Sequence, residues 1–180
     1  LNIQDFADGV AAIFNGVAPR LTMDEARAQV TKLADALQRK HQEQQAKMAA
    51  LNKKSGEPFL RENGKRVEVK TTPSGLQYEV IEEGKGVCPS ATDQVEVHYT
   101  GKLLDGTVFD SSVERGEPIT FPVSGVIRGW VEALQMMPEG SKWRLFIPSN
   151  LAYGAQGAGP IGPHQTLIFD VELLKVIKNS

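Results

Sequence analysis

The chain has 180 residues, of which 41% are hydrophobic and 23% are charged, and its formal net charge is −2. This composition is typical of a globular protein of one domain with a smaller appendage, and no apolar run approaches the roughly 20 residues that a transmembrane helix needs. Twenty basic residues against 22 acidic ones give none of the basic excess that binds a nucleic-acid backbone, so nucleic acid is excluded as a partner.

A first helix is predicted close to the N-terminus. Asn2 can cap its start and Gly16 can end it. Its apolar residues fall on one helical face, namely Ile3, Phe6, Val10, Ile13 and Phe14. Such a face requires a packing partner.

A second helix is predicted to start at a Thr-x-x-Glu capping box formed by Thr22 and Glu25. Its apolar residues recur at three-four spacing, as expected for packing against another helix, and they are Met23, Ala26, Val30, Leu33 and Leu37. From Gln38 to Lys47 the helix is polar nearly all round, which favours helix that runs through solvent to about Asn52.

The end of this helix is less clearly marked. Gly56 and Pro58 predict a kink or break, because proline removes an amide donor, and helix as far as Asn63 is the alternative. Beyond that point the pattern changes to short strands, so we place the domain boundary between Gly64 and Thr72. This divides the chain into a helical region, residues 1–70, and a second domain, residues 71–180.

The second domain shows the alternation of strands that are buried on one face. In the first clear case Val95, Val97 and Tyr99 point inward, so His98 points outward. Asp105-Gly106 predicts a two-residue hairpin with a type I′ turn. The alternation returns in Trp143, Leu145 and Ile147 and in Leu167, Phe169, Val171 and Leu173.

One short helix is predicted in this domain, with Ile127, Trp130, Val131 and Leu134 on one face and an end at Pro138 to Gly140. Several strands around one helix indicate an α+β fold with an antiparallel sheet.

Common catalytic arrangements are poorly supported. His98, Asp110 and Ser111 or Ser112 could form a nucleophilic triad on paper, but the alternation places His98 on the face opposite Tyr99, and no Gly-x-Ser-x-Gly elbow is present. The three histidines lack zinc-ligand spacing, and Gly154, Gly157 and Gly159 do not follow the order of a dinucleotide fingerprint.

The single cysteine, Cys88, excludes an intramolecular disulfide and leaves the redox compartment open. Beside Pro89 it is interpreted as a small apolar filler or a surface thiol, not as a nucleophile.

What remains is a set of aromatic residues spread over the second domain, which by default form its core: Tyr99, Phe109, Phe121, Trp130, Tyr153 and Phe169. These residues and their neighbours resemble the FKBP family of peptidyl-prolyl cis-trans isomerases from about Ser74 to Ile177, and the resemblance rests on five motifs in order. The motifs are Val97-His98-Tyr99-Thr100-Gly101, Gly106-Thr107-Val108-Phe109-Asp110-Ser111-Ser112, Val126-Ile127-Arg128-Gly129-Trp130, Leu151-Ala152-Tyr153-Gly154 and Thr166-Leu167-Ile168-Phe169-Asp170-Val171-Glu172-Leu173.

The helical N-terminal region and three further runs resemble the bacterial macrophage infectivity potentiator subgroup. They are Gly56-Glu57-Pro58-Phe59-Leu60, Pro73-Ser74-Gly75-Leu76-Gln77-Tyr78 and Gly159-Pro160-Ile161-Gly162-Pro163. The resemblance implies an α+β fold in which a long linker helix precedes a curved antiparallel half barrel wrapped around one short helix. It assigns residues 1–70 to dimerisation and linking and residues 71–180 to the isomerase domain.

The resemblance also implies a proline pocket without cofactor or metal. Its catalytic positions are Tyr99, Phe109, Asp110, Tyr153 and Phe169, and its substrate-binding positions are Arg115, Phe121, Val126, Ile127, Trp130 and Ile161. Trp130 would form the floor, and Ile161 would wall the entrance. The Ile127 amide and the Tyr153 hydroxyl would hold substrate carbonyls, and Asp110, paired with Arg115, would either tune the polarity of the site or hold its wall.

Three details depart from that pattern or conflict with it. The loop from Gly154 to His164 is a residue shorter than in small single-domain members and has Gly162 where they carry a bulkier residue, and Ile119 replaces an aromatic residue. Strict alternation would place Phe109 and Asp110 on opposite faces of their strand. Both can line one pocket only if a β-bulge re-aims the strand.

The implied partners are proline-containing polypeptides that are unfolded or folding, and macrolides such as rapamycin as inhibitors. The subgroup implies a homodimer through the N-terminal helices, or a monomer if a helix that precedes Leu1 in relatives is missing. The periplasm or cell envelope of a Gram-negative bacterium is the expected location, with the cytoplasm as alternative. The competing hypothesis is a non-catalytic chaperone or proline-peptide binding module.

Overall fold

The computed structural model describes residue 11 and residues 23–179. The predicted first helix lies outside the described residues apart from residue 11, and so does Thr22 of the predicted capping box. The chain divides into two compact units, residues 1–44 and 45–180. No helix in the described part of the chain is both long and apolar enough to span a bilayer.

Helix α1 runs without a break over Met23–Asn63. The second predicted helix is therefore confirmed, but the predicted break at Gly56 and Pro58 is wrong. Pro58 does remove one amide donor from the helix, yet the chain on both sides of it is fixed by packing. Within the second unit, Gly56 is buried against Thr166, and the Phe59 ring lies 5.9 Å from the Phe146 ring.

Within the first unit, the apolar stripe of α1 faces solvent. We define the stripe by Val30, Leu33 and Leu37, which are 64%, 45% and 59% exposed. Isolated exposed aliphatic residues are normal, but three at helical spacing form a continuous apolar surface.

A seven-stranded antiparallel sheet forms the second unit in the described residues. In chain order the strands are β1 Val69–Thr71, β2 Gln77–Glu82, β3 Gln94–Leu103, β4 Val108–Ser111, β5 Ile119–Pro122, β6 Lys142–Ile147 and β7 Leu167–Ile177. Their order across the sheet is β1-β2-β6-β7-β3-β4, and β5 also pairs with β3. The two longest strands, β3 and β7, are paired along their whole length and form the centre of the sheet.

Two short α-helices lie between these strands in the chain, α2 at Ser112–Arg115 and α3 at Arg128–Met136. There are also 3₁₀ turns at Val123–Gly125 and Ser149–Leu151. Trp130, Ala133 and Leu134 of α3 are buried in one cluster with the inward side chains of β3, β6 and β7. Tyr99 is 6% exposed and His98 is half-buried, as the alternation predicts. The predicted α+β fold is confirmed.

The turn between β3 and β4 differs from the prediction. Gly106 has a φ of 88°, but Asp105 is not among the positive-φ residues, so the turn is not type I′. The Gly106 amide donates to the Leu103 carbonyl at 3.0 Å, and the Asp105 carboxylate accepts from the Thr107 amide at 2.9 Å. The Asp105 side chain stabilises the turn by its own hydrogen bond, and the Asp105 backbone does not adopt positive φ. Gly106 alone supplies the positive φ of this turn.

The C-terminal part of α1 covers the second face of the sheet. Phe146 would face solvent by alternation with Leu145, yet it is 3% exposed because Phe59 packs on it. Gln77 of β2 donates to the Leu60 carbonyl at 2.8 Å and accepts from the Asn63 amide group at 2.9 Å. This part of the helix therefore belongs to the compact second unit.

Candidate active site

Five aromatic side chains from four strands and α3 meet at one end of the core. Trp130 makes edge contacts with Tyr99, Phe121 and Phe169 at ring-centre distances of 5.2, 6.0 and 5.3 Å. Phe109 stands edge-on to Phe169 at 5.5 Å. Perpendicular rings at these distances are the favoured arrangement of aromatic pairs. We call Tyr99, Phe109, Phe121, Trp130 and Phe169 the aromatic cluster.

A β-bulge places Phe109 in the cluster, as the conflict in strand alternation predicted. Gly101 pairs with Asp110, but the next residue, Lys102, pairs with Val108, so Phe109 is the extra residue in β4. The bulge turns consecutive side chains towards one site instead of opposite faces.

Gly101 makes this arrangement possible, and the sequence analysis missed it. A Cβ at Gly101 would lie 2.5 Å from the Phe109 ring and 2.7 Å from the Phe169 ring. Carbon atoms that are not bonded to each other do not approach so closely. A glycine inside a long alternating strand is the signal that would have found it, because glycine in a strand marks a bulge or a close approach.

A network of three polar side chains lies beside the aromatic cluster. The Tyr99 hydroxyl donates to one oxygen of the Asp110 carboxylate, and the Arg115 guanidinium donates to the other. Arg115 also donates to the Tyr99 hydroxyl at 3.4 Å, with its guanidinium carbon 5.9 Å from the centre of the Tyr99 ring. Tyr99, Asp110 and Arg115 therefore form a closed network that fixes both carboxylate oxygens.

The network determines the protonation of its members. Burial alone would raise the pKa of the Asp110 carboxyl, but the hydrogen bonds from Tyr99 and Arg115 and the guanidinium charge outweigh burial and hold the pKa below its usual value. Burial, helped by the hydrogen bond to Asp110, raises the pKa of the Tyr99 phenol. At neutral pH the site thus holds a carboxylate, a neutral phenol and a guanidinium.

The start of α3 supplies a hydrogen-bond donor. Ile127 caps this helix, and its carbonyl accepts from the Trp130 and Val131 amides at 2.9 and 3.0 Å. Its own amide has no acceptor in the described part of the chain, and amides at a helix start favour a carbonyl or anion. Val126, Ile127 and Phe121 are half-buried beside the buried Trp130.

The loop from Tyr153 to His164 carries the last two predicted site residues. Tyr153 is 38% exposed, and no partner for its hydroxyl occurs among residues 23–179. Ile161 is 6% exposed and packs in the buried core cluster.

The alternative nucleophilic triad is not assembled. His98 does reach Ser112, with Nδ1 3.0 Å from Oγ, which the alternation argument did not predict. Ser112 is fully buried, however, and its hydroxyl accepts from the Tyr99 amide at 2.8 Å, while Asp110 is held by Tyr99 and Arg115. A serine in that position holds strand β3 and cannot attack a substrate.

No group of three or more His, Cys, Asp or Glu side chains is placed to hold a metal ion in the described residues. Cys88 is exposed, which agrees with its interpretation as a surface thiol.

Comparisons with known proteins agree with this geometry. A family model described as FKBP-type peptidyl-prolyl cis-trans isomerase matches residues 86–174. A second model, described as the domain amino terminal to FKBP-type peptidyl-prolyl isomerase, matches residues 1–80.

Relatives match over nearly the whole chain. The FKBP-type 22 kDa peptidyl-prolyl cis-trans isomerase of Escherichia coli is 53% identical over 94% of this chain and 81% of its own length. The outer membrane protein MIP of Legionella longbeachae is 44% identical over 99% and 77%. The crystal structure of FkpA from Escherichia coli superposes with a TM-score of 0.82 at 39% identity, covering 98% of this chain and 83% of that one. This chain therefore belongs to the FKBP-type peptidyl-prolyl cis-trans isomerases, in the group that includes Mip and FkpA, and it isomerises peptide bonds that precede proline.

Proposed function

We propose that the aromatic cluster is the floor and walls of the pocket that takes the substrate proline ring. The single observation that supports this most is the joint placement of buried rings with a bulged Phe109 beside the Asp110 network. Trp130, Tyr99 and Phe169 are only 4 to 6% exposed, so they offer an apolar surface that is already ordered. We assign two donors to the same pocket, the Ile127 amide and the Tyr153 hydroxyl, neither of which has an acceptor within residues 23–179.

The proposed mechanism lowers the barrier to rotation without covalent chemistry. Rotation about a peptide bond meets a barrier of about 18 to 20 kcal/mol because the planar amide is stabilised by resonance. A twisted amide has less charge separation than the planar one, so an apolar site binds the twisted form better than the ground state. The Ile127 amide and the Tyr153 hydroxyl would hold the flanking carbonyls in place during the rotation.

Asp110 acts in this proposal mainly as a holder of the pocket wall. Both of its oxygens are occupied by Tyr99 and Arg115, so the carboxylate has little freedom to approach a substrate. Its charge is also balanced by the guanidinium, which limits any direct electrostatic effect on the rotating bond.

The test is isomerisation of a short Xaa-Pro peptide, measured by NMR exchange, in the Tyr153→Phe and Asp110→Ala variants. Tyr153→Phe is expected to lower kcat/KM by about three- to tenfold through the loss of one hydrogen bond, and Asp110→Ala by a similar factor through loosening of Tyr99. The matched control is Tyr78→Phe, since Tyr78 stacks on Trp143 outside the aromatic cluster. Unchanged turnover in both pocket variants would contradict the proposal.

We further propose that the chain is a homodimer and presents two pockets to folding protein clients. The support is the exposed stripe of α1, whose aliphatic face is suited to packing against a second helix. Two linked pockets raise the affinity for a client that carries several prolines. Sedimentation should give a dimer for the intact chain and a monomer for the Leu33→Glu, Leu37→Glu double variant. The same state for both would contradict dimerisation through the stripe.

Location and inhibition follow from the family and are also proposals. The name of the Legionella relative places that protein in the outer membrane, which supports a cell-envelope location for this one. An apolar pocket with an accessible donor suits a macrolide such as rapamycin. Competition between the macrolide and the peptide substrate in the isomerisation assay would test this, and inhibition that excess peptide does not relieve would count against it.

A further inference from the structure

The loop from Tyr153 to His164 is closed at its neck and folded back at its tip. The His164 amide donates to the Gly154 carbonyl at 2.8 Å. At the tip, Ala158 and Ile161 exchange two amide-to-carbonyl hydrogen bonds of 2.9 Å each. The loop is therefore a small compact unit, and its position depends on how its neck is held.

The neck contains unfavourable backbone geometry. His164 has a φ of 55° and is the only non-glycine residue with positive φ in the described part of the chain. A side chain makes that region of backbone conformation unfavourable, and such geometry persists only where the surroundings fix it. The His164 amide donates to the Gly154 carbonyl, which holds the N–H side of the peptide group before His164, and the carbonyl side of that group, contributed by Pro163, can take a second restraint.

Helix α1 supplies that restraint. The Asn52 side-chain amide donates to the Pro163 carbonyl at 2.7 Å, across 111 residues of sequence. This carbonyl belongs to the peptide group directly before His164, and Pro163 itself is buried. The two hydrogen bonds together hold both the carbonyl and the N–H of one peptide group, which lies in the loop neck directly before the positive-φ residue.

The helix meets the loop along one regular row of residues. Met48, Asn52 and Gly56 are spaced four apart, which places them on one helical face. A Cβ at Gly162 would lie 3.3 Å from Asn52 Nδ2 and 3.5 Å from Met48 Cε. The space that a side chain at position 162 would need is therefore occupied by the helix.

One turn further on, a Cβ at Gly56 would overlap the Thr166 hydroxyl. The two glycines, Gly56 on the helix and Gly162 on the loop, allow a close approach of these two segments. The unusual Gly162 noted in the sequence is thus explained by the packing of α1.

We propose that Asn52 is a positioning residue for the isomerase reaction. Its hydrogen bond to Pro163 fixes the loop that carries Tyr153 and Ile161, and so places the Tyr153 hydroxyl before substrate binds. The linker helix is then part of the machinery of the pocket as well as a connection. This inference rests on the proposed proline pocket.

The experiment compares two substitutions in the full chain that remove similar hydrogen bonds of α1. Asn52→Leu removes the donor to the loop, whereas the control Asn63→Leu removes the donor to Gln77 of β2, away from the loop. We expect Asn52→Leu to lower kcat/KM for a short Xaa-Pro peptide by about three- to tenfold, and Asn63→Leu to leave it within about twofold. Hydrogen exchange of the Ala158 and Ile161 amides should accelerate only in Asn52→Leu.

A second variant protects the test against misfolding of the first. Gly162→Ala pushes against Asn52 and should give the same pattern with a smaller loss of activity. The inference is overturned if Asn52→Leu and Gly162→Ala both keep full activity, or if kcat/KM falls equally in Asn52→Leu and Asn63→Leu. It is separable from the pocket proposal, because Tyr153→Phe would still lower activity in a protein where Asn52 has no role.

Discussion

The aromatic cluster and the stripe of α1 are both apolar, but they are built in opposite ways. Tyr99, Trp130 and Phe169 are 4 to 6% exposed and held by ring contacts, whereas Leu33 and Leu37 are 45% and 59% exposed. Buried apolar area stabilises the fold at about 25 cal/mol per Å², and exposed area contributes only when a partner covers it. The cluster can therefore work within one chain, while the stripe acquires a role through association.

The largest expected effect comes from filling the space under the cluster. Gly101→Ala would drive a Cβ into the Phe109 and Phe169 rings, so we expect a loss of stability of about 1 to 3 kcal/mol and a fall in kcat/KM of about tenfold or more. The control is Gly106→Ala, which strains a positive-φ residue with no atom within 4 Å of its Cβ. Urea unfolding and peptide isomerisation measure both variants. Equal activity in the two would show that Gly101 has no special role in the pocket.

Changes in the stripe of α1 should lower activity on a folding protein and leave activity on a short peptide unchanged. In the Leu33→Glu, Leu37→Glu variant, kcat/KM for a short Xaa-Pro peptide should stay within about twofold, because a short peptide needs one pocket. Acceleration of a proline-limited protein refolding reaction should fall by about tenfold or more, since two linked pockets no longer act on one client. A parallel loss on peptide and protein would mean that the two surfaces are not independent.

A smaller effect is expected from the charge of Asp110. Because its folded pKa lies below the unfolded value, its ionisation stabilises the fold above the unfolded pKa of about 3.9, and this contribution disappears as pH falls through the folded pKa. Asp110 and Arg115 are 41% and 44% exposed in their side chains, so solvent limits the contribution to about 1 kcal/mol or less.

Urea unfolding of the wild type and Asp110→Asn should therefore differ at pH 7, and the difference should shrink progressively as pH falls below the unfolded pKa of about 3.9. A difference that stays constant with pH would show that the geometry of the hydrogen bonds, and not the charge, provides the stability.

Alternation of apolar residues was sufficient to predict the three strands at the centre of the sheet, β3, β6 and β7, because a strand buried on one face has a strict period of two. It also exposed the conflict between Phe109 and Asp110 that the bulge resolves. Alternation failed where a side chain stabilises its own turn or packs on a residue that is distant in the sequence. The Asp105 carboxylate changed the turn type, and contacts of Phe59 with Phe146 carried the helix through Pro58.

The same limit applies to the site. The motif order was sufficient to identify the family and every member of the aromatic cluster except Phe121, since the other four residues lie in contiguous runs. The hydrogen bond from Asn52 to Pro163 joins residues 111 positions apart, and no local pattern marks such a pair. Gly162 alone signalled it, as a small residue where a bulkier one was expected.

The most direct test of the pocket uses the two tryptophans. Trp130 and Trp143 are 4% and 5% exposed, and neither indole N–H has a hydrogen-bond partner among the described residues, but Trp130 belongs to the aromatic cluster whereas Trp143 stacks on Tyr78. Trp130→Leu and Trp143→Leu should therefore destabilise the fold by similar amounts. At a temperature where both variants are folded, we expect a loss in kcat/KM of about tenfold or more for Trp130→Leu and a change within about twofold for Trp143→Leu. Equal activity in the two variants would contradict the assignment of the aromatic cluster as the proline pocket.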